Sequence, residues 1–275
     1  MYYNADIPKD AWMSSDTTRR KMLVGIGTGL TVGLAGCGGT GGEEGTPTDT
    51  ATPMETETAT AEPTPEGDAS VRVAHMSPNA PNVDVYVDGE AVLTDVAFSA
   101  ISDYLSVPAG ERQVEITAAG DADTSVFSGP VPVEADTAYT IAAIGEIGED
   151  GDEPFEPLVL EDDNSDPGSD TARVRLVHAS PDAPAVDVTL ESTGDTLYDG
   201  AAYGDAVYTT APGGDYTLQV RGDTESNDGD VVADFDVSLA GGEVYTAFAG
   251  GYLSPDDDPS DEPFDLFLAQ DTEGM

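Results

Sequence analysis

Two stretches of this chain are copies of one another. Arg72-Val-Ala-His75-Met-Ser77-Pro78-Asn79-Ala80-Pro81-Asn82-Val83-Asp84-Val85 returns as Arg175-Leu-Val-His178-Ala-Ser180-Pro181-Asp182-Ala183-Pro184-Ala185-Val186-Asp187-Val188, an offset of 103. Val107-Pro108-Ala109-Gly110 returns as Ala211-Pro212-Gly213-Gly214, Ala138-Tyr139-Thr140 as Val244-Tyr245-Thr246, and Pro154-Phe155 as Pro263-Phe264. The offset grows from 103 to 109, as small loop insertions in a shared scaffold would make it. The repeat therefore predicts two homologous domains, 69–163 and 171–272, joined by the polar segment 164–170.

Within each copy the apolar residues recur with the period of a strand. Val71, Val73 and His75 alternate with Arg72 and Ala74; Val83, Val85 and Val87 alternate with Asp84, Tyr86 and Asp88; Tyr216, Leu218 and Val220 alternate with Thr217, Gln219 and Arg221. Asp88-Gly89 supplies a hairpin turn, and Pro-Ala-Gly and Pro-Gly-Gly mark further turns. No window sustains a helical period beyond a turn or two. Short strands broken at regular intervals predict an all-β fold, two tandem immunoglobulin-like or prealbumin-like sandwiches.

The residues before the repeats read as an address and a stalk. Arg19-Arg20-Lys21, a weakly apolar glycine-containing run and Leu34-Ala35-Gly36-Cys37 match a twin-arginine export signal, residues 1–36, ending at a lipobox. The run Met22–Gly36 would span only about 22 Å as a helix, short of the ~30 Å bilayer core. Cys37 is the single cysteine of the chain and falls where lipidation requires it; an ordinary signal peptide with a chance cysteine is the alternative. The leader ahead of the arginine pair is long, which leaves Met1 and Met13 both open as the start. Residues 37–68, Cys37 and a Thr/Pro/Glu/Gly-rich run, cannot bury enough apolar surface to offset ordering entropy and are expected to form a disordered stalk.

Charge bounds the partners. The chain carries 55 Asp+Glu against nine Lys+Arg, a formal net charge of −46. A nucleic acid would be repelled, not held through its phosphates. Four of the nine cations precede Cys37, and the five that follow are all arginine. Acids are scattered through the remainder. At molar salt the Debye length falls to ~3 Å and their mutual repulsion is screened. The pattern resembles proteins of salt-loving archaea, and export of a lipoprotein by the twin-arginine route fits that group; a calcium-dependent surface protein is the competing reading.

The candidate chemical residues lie in the repeated motif. His75 and His178, the only histidines, are each followed nine residues on by an aspartate, Asp84 and Asp187, with Ser77-Pro78 and Ser180-Pro181 close by. His, Ser and Asp are the ingredients of nucleophilic catalysis. The spacing favours a structural use instead, with the histidine closing a strand, Ser-Pro bending the chain and Asp accepting loop hydrogen bonds. No catalytic residue is assigned, and two histidines in separate domains make a poor zinc site. Two acidic loops, Glu149–Glu153 and Asp256–Glu262, offer oxygen ligands to Ca²⁺ or Mg²⁺ but lack the spacing of a dedicated calcium loop; no metal site and no cofactor are assigned. Arg221-Gly222-Asp223 has the composition of an adhesion tripeptide, although its arginine is expected to end a strand. Tyr198, Tyr203, Tyr208, Tyr216, Tyr245 and Tyr252 are numerous enough to line a binding face, or to be half-buried strand residues. Arg173 and Arg175, scarce cations in a negative field, are expected to be paired internally.

The His-x-Ser-Pro-(Asp/Asn)-Ala-Pro-x-Val-Asp-Val core, with the later Pro-Ala/Gly-Gly turn and Tyr-Thr strand, resembles the DUF4397 family, domains of unknown function found mostly in prokaryotic secreted and surface proteins. The resemblance implies an extracytoplasmic β domain without agreed catalytic residues. The second copy replaces the Tyr86-Val87-Asp88-Gly89 hairpin with Thr189–Gly194, so the two surfaces are not strictly equivalent. Together these readings predict a non-catalytic binding or structural module on the cell surface. It would be anchored to the membrane by lipid, and envelope protein or glycan would be its partner. The alternative is an extracytoplasmic enzyme or solute receptor using the His-x-Ser-Pro…Asp loop.

Overall fold

In the computed structural model, residues 67–148, 151 and 153–271 are described. The export signal with Arg19 and Arg20, the anchor Cys37 and the stalk up to residue 66 lie outside them. Both repeats fall within one compact unit, Thr60–Met275.

Each repeat contributes eight strands. The first is built from β1 (Asp68–His75), β2 (Val83–Val87), β3 (Glu90–Val96), β4 (Leu105–Pro108), β5 (Gly110–Ala118), β6 (Asp121–Val133), β7 (Ala138–Ile144) and β8 (Glu156–Glu161). The second follows with β9 (Thr171–His178), β10 (Val186–Leu190), β11 (Thr196–Ala201), β12 (Ala206–Pro212), β13 (Gly214–Gly222), β14 (Val231–Leu239), β15 (Val244–Gly250) and β16 (Asp265–Gln270). One repeat forms sheets ordered β3-β2-β5-β6 and β4-β1-β7-β8; the other forms β11-β10-β13-β14 and β12-β9-β15-β16. Strand for strand the topologies coincide, including the parallel pairs β1·β7 and β9·β15 among otherwise antiparallel ladders. The Asp88-Gly89 turn forms with both residues at positive φ, +51° and +85°, as a primed hairpin turn requires.

Each sandwich has its own core, and alternation explains which residues enter it. Val71, Val73, Tyr139 and Ile141 of one sheet meet Val83, Val85, Val114 and Ile116 of the other. Their counterparts Val174, Leu176, Tyr245 and Ala247 meet Val186, Val188, Leu218 and Val220. The opposite faces of β1, β7, β9 and β15 do not meet water. Ala74, Met76, Ala142 and Ile144 from the first repeat pack with Val177, Ala179 and Phe248 from the second into a third core. Sheets β4-β1-β7-β8 and β12-β9-β15-β16 thus face each other, and the repeats are joined by a buried interface as well as by 164–170. This corrects the alternation read along β1. Arg72, placed there among the outward residues of a half-buried strand, is 2% exposed because the second repeat covers that face.

Candidate functional site

The repeated motif does the same work in both copies. His75 ends β1 fully buried, and its Nε2 donates to the Pro81 carbonyl at 3.1 Å, so the ring carries its proton on Nε2. Its Nδ1 accepts from the Ser77 amide at 3.4 Å. His178 is equally buried and donates through Nε2 to the Pro184 carbonyl at 3.1 Å, while its Nδ1 has no partner. Burial pushes both imidazoles below their ordinary pKa of 6.5 against the raising pull of the proline carbonyls. Both are neutral at pH 7.

The serines and aspartates are bound to main chain. Ser77 Oγ donates to the Gly145 carbonyl and Ser180 Oγ to that of Gly251, each at 2.6 Å. Only glycine fits at 145 and 251, where φ is +81° and +82° and a Cβ would lie 2.2 Å from the carbonyls of Pro154 and Pro263. Asp84 accepts from the amides of Asp95 and Gly120, and Asp187 from those of Gly200 and Thr224, at 2.8–3.0 Å. Those amides hold the Asp84 carboxyl below the usual range. Asn79 and Asp182, which follow Pro78 and Pro181, brace the equivalent loops through Ile147 and through Leu253 and Ser254. Within a motif His75 and Ser77 touch, Ser180 also donates to the Asp182 carboxylate at 3.2 Å, and Asp84 and Asp187 are taken up by loop amides; the His–Asp hydrogen bond of the catalytic alternative is not made.

An open groove of about 590 Å³ runs between the repeats, lined by Arg72, Ser102, Asp103, Tyr104, Phe267 and Gln270 among others. Neither histidine reaches it. Among the described residues the carboxylates that gather closely enough to share a cation are Asp187, Asp199 and Asp223, with one oxygen of each within 4.8 Å of the others. Partial burial, and then the charges of Asp187 and Asp199, push the Asp223 carboxyl above its ordinary range. This trio is not where the acidic loops placed cation ligands. Glu149, Asp150 and Asp152 lie outside the described residues, and Ser260 of the second loop donates to the Pro78 carbonyl across the interface. Arg221 is engaged with Thr189, Gln219 and the Gly229 carbonyl, which draws the adhesion-like tripeptide into the sheet. The tyrosines do not share an open face: Tyr198 donates to the Val174 carbonyl, Tyr216 to that of Pro212, and Tyr252 is fully buried.

The family model described as "Domain of unknown function (DUF4397)" matches residues 69–189. The chain carries a DUF4397 domain. The match takes in the whole first sandwich and the first two strands of the second, through Thr189. Among solved structures the chain is similar to the Bacillus anthracis TIE protein, with 11% identity over 67% of this chain and 34% of that one and a TM-score of 0.21. It therefore spans about a third of that protein. A second similar structure is a Bacteroides fragilis protein assigned provisionally to cell adhesion, with 9% identity over 73% of this chain and 97% of that one and a TM-score of 0.19. Among curated proteins no sequence match is found.

The polar residues that motif reasoning missed lie between the two sandwiches. Tyr104, Arg72, Thr140 and Asp162 form a row on one inner sheet, and Tyr208, Arg175, Thr246 and Asp271 form the equivalent row on the other. Arg72 crosses to Asp271 and Arg175 crosses to Asp162, each at 2.6 Å with side chains 2% and 0% exposed. Thr140 Oγ1 accepts from both guanidinium groups (Arg72 Nε at 2.8 Å, Arg175 Nη2 at 3.2 Å) and donates to Asp162. Thr246 does the same and donates to Asp271 at 2.7 Å. The guanidinium carbons of Arg72 and Arg175 lie over the rings of Tyr104 and Tyr208, 5.1 and 5.2 Å from their centroids. Arg175 is thus paired internally as its scarcity suggested, whereas Arg173 pairs near the surface with Asp163 at 2.9 Å. The signal that could have found the network is the return of Arg, Thr and Asp at matching places in both copies.

Proposed function

We propose that this protein is a non-catalytic, lipid-anchored module of the cell surface, built to bind or brace envelope components in a salt-rich medium. The observation that carries the reading is the use made of the repeated motif. The residues with chemical potential, His75, Ser77, His178 and Ser180, are fully buried in both copies and engaged with main-chain groups. The motif braces loops, and the surface is left to acids and strand edges. Supporting it further, all five arginines among the described residues are held in ion pairs or hydrogen bonds, so no free cationic patch grips a polyanion. Among the described residues no helix is long and apolar enough to cross a membrane. Attachment in this reading rests on Cys37, and an extended 37–68 would carry the sandwiches up to roughly 90 Å from the lipid.

The test is made in intact cells. The native protein should sediment with membranes and lose its folded part to externally added protease, and Cys37→Ser should move the protein into the medium. Unchanged membrane retention of Cys37→Ser, or protection of the folded part in intact cells, would overturn the anchored surface reading. A hydrolytic activity that disappears with His75→Ala or His178→Ala would overturn the non-catalytic one.

A further inference from the structure

The two inner faces are near-copies, which raises the question of what keeps a first repeat from pairing with the first repeat of another chain. The arginine exchange cannot decide it. Arg72 and Arg175, Thr140 and Thr246, Asp162 and Asp271, and Tyr104 and Tyr208 are identical in the two rows, so any pairing of repeats would reproduce those bonds. Discrimination has to come from positions where the copies differ and where equivalent residues meet.

Glu146 and Tyr252 are such a pair. Each follows the positive-φ glycine whose carbonyl takes the motif serine, and each sits at an isolated bridge to the equivalent proline, Pro154 or Pro263. They occupy the same place in the two repeats and touch each other, which puts them at the local two-fold axis. Tyr252 Oη donates to Glu146 Oε1 at 2.7 Å, with the residues 0% and 4% exposed. Two first repeats would bring Glu146 against Glu146, a pair of carboxylates without water between them, which cannot both stay ionised. Two second repeats would bring one Tyr252 ring against another in the space now shared with a smaller side chain. The apolar positions follow the same logic. Met76 and Ile144 of the first repeat correspond to Ala179 and Gly250 of the second, and a Cβ on Gly250 would sit 4.0 Å from the Met76 sulfur. In the opposite sense, Ala142 corresponds to Phe248. Bulk on one face is met by room on the other, as in any interface that specifies its partner by excluding alternatives.

We infer that Glu146 and Tyr252, seconded by these size differences, are the specificity-determining residues of the interface, and that they restrict each repeat to its complement and exclude like-with-like pairing between chains. The test exchanges the code without altering the arginine network. Full-length Tyr252→Glu presents glutamate in both repeats, and full-length Glu146→Tyr presents tyrosine in both. Each is mispaired within its own chain, but between the two chains every contact at the axis is a Glu–Tyr pair. Refolded together at equal concentration, they should form a one-to-one heterodimer of twice the single-chain mass, read by light scattering on a sizing column. The unaltered protein carried through the same procedure should yield none. Two variants that fail to fold alone but fold when mixed support the proposal equally. A mixture that remains two separate species, or that aggregates as each variant does alone, overturns it.

Discussion

Acid should unfold this protein through two buried imidazoles, and the size of the effect follows from where they sit. His75 and His178 are fully buried, each with its proton on Nε2 and donated to a proline carbonyl. A second proton on His75 would place an N–H against the Ser77 amide, and one on His178 would sit on an Nδ1 without an acceptor, where burial outweighs the favourable charges of Asp205 and Asp182. Burial accordingly lowers both pKa values below 6.5, the value each recovers on unfolding. Between the depressed folded values and 6.5 the unfolded chain holds two protons that the folded chain does not. The stabilisation is complete above pH 6.5 and falls as the pH drops below it, by about 1.4 kcal/mol per pH unit for each histidine and about 2.7 for both. For a folded part of this size that is roughly 5–10 °C of Tm per pH unit. Thermal unfolding followed by circular dichroism from pH 7.5 to 5, at fixed high salt, should show a fall in Tm that sets in below pH 6.5 and ends once the pH reaches the depressed folded values. Asp271 and Asp223, whose carboxyls burial holds above the usual range, act with opposite sign, so the decisive comparison is with variants. Gln can keep the donor to the proline carbonyl without titrating. His75→Gln should remove one histidine's share of the acid destabilisation and the double variant His75→Gln/His178→Gln both shares, leaving the opposite contribution of the two carboxyls. A double variant with the slope of the unaltered protein would refute the reasoning.

Removing one partner of a crossed pair strands a buried charge. Arg72→Met or Asp271→Asn alone should therefore cost about 3–5 kcal/mol in denaturant unfolding, while Arg72→Met with Asp271→Leu should recover most of it. A double variant no better than the singles would show that the threonines and tyrosines depend on the charges. Asp223→Asn should raise Tm at low salt, because the ionised carboxyl sits beside Asp187 and Asp199 with its pKa raised, and the gain should vanish at molar salt. A loss of stability at low salt would mean that the negative charge is needed there.

Much of the fold was open to reading because the repeat and the strand period are independent signals that agree. The eight strands of one copy align with the eight of the other, and the Asp88-Gly89 hairpin lies where the dipeptide placed it. The second buried face was not read, for a physical reason. Alternation of Val71 and Val73 with Arg72 describes a strand wet on one side, and only the packing of another sheet turns Arg72 inward. β7 (AYTIAAI) and β15 (VYTAFAG) did carry the sign of strands covered on both sides, apolar at nearly every position. Asp162 and Asp271 were invisible among so many acids, although they close their repeats at equivalent places. The motif's histidine partners were hidden for the opposite reason: a proline carbonyl six residues away leaves no mark in side-chain patterns.

The distribution of the five arginines after Cys37 separates what salt can reach from what it cannot. Arg112–Asp88 and Arg173–Asp163 are partly exposed, at 3.1 and 2.9 Å, and pairs of that kind contribute about 0–1 kcal/mol even before salt screens them. Arg72–Asp271 and Arg175–Asp162 lie between two sheets with side chains 2% and 0% exposed, where salt screens them far less. Raising salt should then relieve repulsion among the exterior acids while leaving the bonds between the repeats as they are. Tm should accordingly climb between 0.1 M and multi-molar NaCl, and Arg72→Met/Asp271→Leu should climb by the same amount from its own starting point. A protein whose Tm ignores salt would refute the adaptation itself. A climb that disappears in the double variant would place the salt-sensitive element at the interface, and the exterior acids would then need another explanation.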